Sequence, residues 1–220
     1  MSLCGCAKDS SQPPVSDPPP VSFLQSEPPS SPPSSPQNPD DSGESAVAGE
    51  VVVAFDYEKQ SGYASNQFAV WIEDMDGNLI KTLYATRYTV NGGYKNRPDS
   101  IPTWVEKSGL SVMNKNETDA VTGATPKADT LSYVWDLTDR DGSPVVLGQY
   151  RFFVEGSLRW KNRVLYSGVI EISYVPATVQ AERQFFFEAN DNQAALSDDS
   201  SEITMIGAVT ASFVPEEKNG

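Results

Sequence analysis

The chain changes character at one place, and that break constrains its fold more than any other feature. Residues 1–49 hold 11 of the 17 prolines and 12 serines, with no Trp, no Tyr and one Phe. A stretch so poor in apolar residues cannot bury enough surface to offset the entropy of ordering it, so the sequence predicts a disordered tether. Pro-rich runs such as Pro18-Pro19-Pro20 favour extended polyproline conformations, which makes the tether a semi-stiff spacer. Residues 50–214 carry the remaining aromatic residues and are long enough for one domain with a proper core; 215–220 read as a polar tail.

What the domain can do is bounded by what the chain lacks. It contains no histidine, which removes His-based triads, His metal sites and His-ligated haem, along with the commonest general base near neutral pH. The net charge is −14, of which the tether, with one Lys against six acids, supplies −5 and the rest −9. A domain this acidic is poorly suited to nucleic acid or to anionic lipid headgroups. Chemistry must come from carboxylates, hydroxyls, Lys, Tyr or a bound cofactor. Asp74–Gly77 and Asp139–Gly142 lack the regular run of oxygen ligands, ending in a bidentate acid, that a calcium loop needs; both read as hairpin turns.

From Glu50 onward the pattern is β. Val51–Phe55 and Phe68–Ile72 are short apolar runs bounded by turn residues. Asp76-Gly77, a strong hairpin signal, separates the second from Leu79–Tyr84. Further strands are predicted at Leu131–Asp136, Gln149–Glu155, Val164–Ile172, Arg183–Phe187 and Ile203–Val214. Eight or so short strands with little helical periodicity predict an all-β, immunoglobulin-like sandwich. Between Tyr88 and Thr130 the strand pattern lapses; a loop excursion that long, carrying Tyr88, Tyr94, Lys95, Arg97 and Trp104, points to function. A short helix is expected near Asp99–Lys107, with Ser100 as cap and Pro102 in the first turn.

Four resemblances add to this reading. Leu3-Cys4-Gly5-Cys6 resembles a bacterial lipobox, whose last Cys, here Cys6, is acylated and becomes the mature N-terminus. Only five residues precede Cys6, fewer than the basic and apolar regions of a signal peptide require, so a truncated start is part of that expectation. It implies an extracytoplasmic, membrane-anchored lipoprotein in the periplasm or at the cell surface. Trp135-Asp136 with Asp139-Arg140-Asp141-Gly142 and Gly148-Gln149-Tyr150 resembles the flagellar hook-cap type of immunoglobulin-like repeat, which bears on fold alone.

The third resemblance bears on function. Asp119-Ala120-Val121-Thr122-Gly123-Ala124-Thr125 resembles the acceptor sequence of ApbE-type flavin transferases, Asp-x-x-Ser/Thr-Gly-Ala-Ser/Thr, which join FMN through a phosphoester to the last hydroxyl. A chance match in a chain this long is on the order of one in a thousand. The resemblance implies that Thr125 is the nucleophile, that Gly123 and Ala124 keep the segment slim, and that Asp119 and Thr122 are recognition contacts. The bland account is a Gly-Ala turn stiffened by Pro126.

More broadly, five blocks resemble the bacterial domain-of-unknown-function 2271 family: Phe68–Asp74, Lys81–Tyr88, Asp119–Pro126, Trp135–Asp139 and Leu158–Gly168. That family is predicted to be periplasmic, and some members are linked with flavin transferases and membrane redox partners. The resemblance implies a tethered redox carrier, with covalent FMN, rather than an enzyme with its own turnover. The alternative is a cofactor-free immunoglobulin-like lipoprotein that binds or scaffolds envelope proteins. Arg159, Lys161 and Arg163 alternate along a strand and share one face. They either pair with an FMN phosphate or form a charged edge strand that blocks aggregation. Trp104 and Trp160 could stack on a flavin ring, but large aromatics in a sandwich more often belong to the core.

Overall fold

The computed structural model describes residues 48–59, 66–113, 120–124, 126–157, 162–186 and 205–216. These form two β-sheets packed face to face. Strand β1 (Gly49–Tyr57) alternates cleanly: Val51, Val53, Phe55 and Tyr57 are buried, while the residues between them are half-buried or exposed. A period of two is what a strand with one wet face requires. β1 pairs antiparallel with β5 (Asp129–Trp135) on one side and with β10 (Thr210–Pro215) on the other, and β10 pairs with β8 (Ala177–Gln180). The four-stranded sheet thus runs β5-β1-β10-β8.

The larger sheet runs β4-β3-β2-β6-β7-β9, built from β4 (Thr122–Gly123), β3 (Leu79–Thr86), β2 (Gln67–Glu73), β6 (Gly148–Ser157), β7 (Arg163–Ile172) and β9 (Glu182–Phe186). Every residue of β2 is buried. Its continuous apolar run marks a strand covered on both faces, and both covers are present. Phe68, Val70 and Ile72 point into the sandwich core with Phe152, Val154, Tyr166 and Ile170. Ala69 and Trp71 point the other way, into a second cluster with Ile101, Trp104 and Leu110. The second cover comes from the long excursion, which folds as a π-helical turn (Thr89–Gly93), the single turn α1 (Tyr94–Asn96) and the helix α2 (Pro102–Ser108). Trp71 and Phe153 stack beneath it, 9° from parallel. In the core, Phe152 lies directly over Gly168, its pairing partner; a Cβ there would come 2.5 Å from the ring. Glycine at that strand position makes room for the aromatic ring.

The two acidic turns use their carboxylates on their own backbone. Asp74 accepts from the Asn78 amide at 2.7 Å and from its side chain at 2.8 Å, and Gly77 adopts φ 84°. Asp139 accepts from the amides of Asp141 and Ser143, both at 2.9 Å. Trp135 closes the neighbouring corner by donating its indole N–H to the Thr138 carbonyl at 2.8 Å.

The fold is the all-β sandwich the pattern predicts, with three local departures. β4 and β8, two and four residues long, are too short to produce a readable alternation. Helix α2 begins at Pro102, but Ser100 does not cap it: Ile101 occupies that position at φ 46° with no side-chain cap, and the Ser100 hydroxyl bonds Thr89 at 2.7 Å instead. Finally, β7 is an interior strand between β6 and β9, not an edge. Residues 1–47 of the tether and the tail from 217 lie outside the described residues.

Candidate functional site

The flavin-acceptor motif lies at the rim of the larger sheet. Ala120 is exposed, and Val121 packs against the Trp71–Trp104 cluster. Thr122 and Gly123 then pair in parallel with Ala85 and Thr86 at the end of β3. A Cβ on Gly123 would come 2.2 Å from Cε2 of Tyr84. That ring has no room to retreat, because Phe68 and Tyr133 stand against it at centroid distances of 4.8 Å and 4.9 Å. The glycine is therefore demanded by packing in this fold, independently of any enzyme that reads the motif. The Tyr84 hydroxyl donates to the Ala124 carbonyl at 2.9 Å. Burial pushes the Tyr84 hydroxyl up to about 12, with Tyr57 adding to the shift and Arg87 opposing it, so it remains a proton donor throughout the neutral range.

The segment is thus held through Val121, Gly123 and the Ala124 carbonyl, while Ala124 itself is exposed. Pro126 beyond it is half-buried and Lys127 exposed. Asp119 and Thr125 lie outside the described residues. So the fold brings together Thr122, Gly123 and Ala124 of the expected site, and it adds Tyr84, which no local sequence signal singled out. It is the pairing of β3 with β4 that brings together these residues, about 40 positions apart in the chain.

Of the three expected basic residues, Arg163 alone is among the described residues. Arg159, Lys161 and Trp160 lie outside the described residues, as does Cys6. Arg163 is committed elsewhere: it meets Glu155 at 2.8 Å and the Thr103 hydroxyl at 2.8 Å, and stacks on Phe186 with 3.7 Å to the ring centroid. Glu155, on β6, is fully buried. Its carboxylate accepts from the amides of Trp104 at 2.9 Å and Thr103 at 3.3 Å, the donors that the first turn of α2 leaves unpaired. Burial raises the Glu155 carboxyl above the usual carboxylate range, against the opposing pull of these amides and Arg163.

Two further contacts complete the attachment of α2. Ser157 accepts from the Ile101 amide at 2.9 Å, and Glu73 meets Lys107 at 3.2 Å. This buried polar set fastens the helix to the sheet. All its groups are spoken for, which fits an anchor better than a reactive centre. Trp104 is fully buried in the same cluster, so it belongs to the packing rather than to a surface ring-binding face.

Among the described residues no helix is long and apolar enough to cross a membrane. No curated protein and no solved structure gives a significant match to the chain. A family model described as predicted periplasmic protein (DUF2271) matches residues 49–185, which runs from the start of β1 to the penultimate residue of β9. With more than half of the chain matched, this protein belongs to the DUF2271 family of predicted periplasmic proteins.

Proposed function

We propose that the domain is an extracytoplasmic electron carrier bearing FMN covalently on Thr125, held to the membrane by an acylated Cys6. The observation that carries the reading is the acceptor motif meeting an exposed rim. Its small residues lie at the end of a sheet, Gly123 is tight against Tyr84, and the chain is exposed at Ala124 immediately before the acceptor hydroxyl.

The attachment balances as follows. An ApbE-type transferase binds FAD with a divalent cation; the Thr125 hydroxyl attacks the phosphorus on the FMN side of the pyrophosphate. The new bond is Thr Oγ–P, the bond that breaks joins that phosphorus to the bridging oxygen, AMP leaves, and the hydroxyl proton passes to a base of the transferase. In this scheme the domain supplies a slender donor segment, braced by Tyr84 and Val121, that another protein's active site can enclose. Once attached, the flavin supplies the redox chemistry, and the domain presents it to a membrane redox partner. A phosphodiester link suits an exported protein, since a dissociated flavin is not easily replaced outside the cytoplasm.

The test is direct. Coexpression of the full chain with an ApbE-type transferase is expected to raise its intact mass by one FMN residue, and Thr125→Val to abolish the gain. An unmodified mass with active transferase and FAD present rejects the reading and leaves the cofactor-free envelope scaffold.

A further inference from the structure

We infer that the larger sheet holds a binding site for a small zwitterion with an apolar body, an aromatic amino acid or a molecule of that build, in a cleft between Arg151 and Glu182. The cleft lies where β9 gives out. β8 belongs to the smaller sheet and leads through Ala181 into β9, whose pairing with β7 begins with Glu182 opposite Ser167. Along Gly168 and Val169, no strand pairs with β7 on that side among the described residues. The notch is a cleft of about 470 Å³, within the range of small-ligand sites, and Arg151, Phe153, Ser167, Val169, Gln180 and Glu182 line it. Residues directly opposite across a sheet share a face, so Arg151 with Val169 forms one rung and Phe153 with Ser167 and Glu182 the next. Both rungs face away from the sandwich core, into which Phe152, Tyr166 and Ile170 of the same strands point.

The polar groups of the cleft are uncommitted, and the register shows why. Arg151 stands opposite Glu73, but Glu73 is already spent: one carboxylate oxygen accepts from the Trp71 indole at 2.8 Å and the other meets Lys107 at 3.2 Å. Half-buried Arg151 is left without an ion pair or side-chain hydrogen bond among the described residues, whereas Lys81 and Arg163 elsewhere in the same sheet each meet a carboxylate. Ser167, Gln180 and Glu182 make no side-chain hydrogen bond among the described residues either. A guanidinium fork with no carboxylate of its own suits one brought from outside. Phe153 gives one ring face to Trp71, at 5.0 Å and 9° from parallel, and the rest of the ring lines the cleft beside Val169. Together they form the apolar wall for the ligand's body. Glu182, two strands and about 10 Å of sheet from Arg151, takes the ammonium. The two form no ion pair with each other, so each is free for one end of a ligand.

The experiment titrates the isotope-labelled full chain by NMR with probes that share one ring: free L-phenylalanine, phenylpropionate, which lacks the amine, and L-phenylalaninamide, which lacks the carboxylate. Phenylalanine at millimolar concentration is expected to give saturable amide shifts centred on β6, β7 and the turn from β8 to β9 where they line the cleft. Phenylpropionate is expected to bind more weakly, and the amide not at all. A chain of net charge −14 attracts the cationic amide nonspecifically, so a preference for the carboxylate isolates Arg151. Arg151→Gln is expected to weaken phenylalanine and phenylpropionate about tenfold or more. Glu182→Gln is expected to weaken phenylalanine alone, to the level of phenylpropionate. The ligand series uses the unsubstituted protein, so it decides the matter even where a variant is unstable. Any of four results overturns the site: no saturable shift with any probe, shifts centred away from the cleft, equal binding of the amide, or binding unmoved by Arg151→Gln in a folded variant.

Discussion

At the scale of single residues, the aromatic cluster behind the acceptor rim carries one flaw. Tyr57 packs 5.2 Å from Phe68, yet its hydroxyl is buried and finds no hydrogen-bond partner among the described residues. An orphaned buried hydroxyl costs on the order of 1–3 kcal/mol of desolvation. Tyr57→Phe is therefore expected to leave stability unchanged or to raise it by about 1 kcal/mol, read as the midpoint of urea unfolding. A clear loss would mean that the hydroxyl has a partner in solution. Residue identities were the most legible part of the sequence where one residue type answers one geometric need: Asp74 and Gly77 announce their turn without help. Tyr84 could not be found that way, since its contact with Gly123 and Ala124 comes only from a two-residue pairing with a segment about 40 positions later.

At the scale of elements, α2 is a seven-residue helix, too short to persist on its own strength. It exists because the sheet completes it. Glu155 on β6 accepts from two of its first-turn amides, Lys107 in its last turn reaches Glu73 on β2, and Trp104 fills the second core. Glu155→Ala strips the helix start of its acceptor and leaves the half-buried Arg163 without its carboxylate, with an expected loss of about 3–5 kcal/mol. Faster amide exchange concentrated in 100–110 should accompany it; a loss spread evenly over the sandwich would argue against a helix anchor. The helix itself was visible in the sequence from Pro102 in its first turn. Its cap was not, because the acceptor comes from a strand about 50 residues away instead of from Ser100. Likewise, the pattern of Val164–Ile172 identified β7 but could not reveal the neighbour that makes it interior.

At the scale of the whole molecule, the sandwich was legible because its long strands repeat with period two, while β4 and β8 escaped for want of length. The assembled core also sets an alkaline limit. Burial raises the Tyr57 hydroxyl to about 12, burial and the neighbouring Tyr57 do the same for Tyr84, and Tyr133 is pushed up as well. Unfolded tyrosines ionise near 10. Between those values the folded chain keeps protons that the unfolded chain has lost, so stability is full below pH about 10 and falls as pH rises toward 12. Thermal unfolding across that window should show a steep decline; a flat profile would mean that the ring cluster is open to water.

The first and last strands of the domain are neighbours. Gly49 lies opposite Pro215, and the Ala48 carbonyl accepts from the Glu216 amide at 2.8 Å. The polypeptide therefore enters and leaves the sandwich through a single doorway. A load applied between these two points would open β1 from β10 as a zip opens, one rung at a time, with no set of bonds sharing the strain.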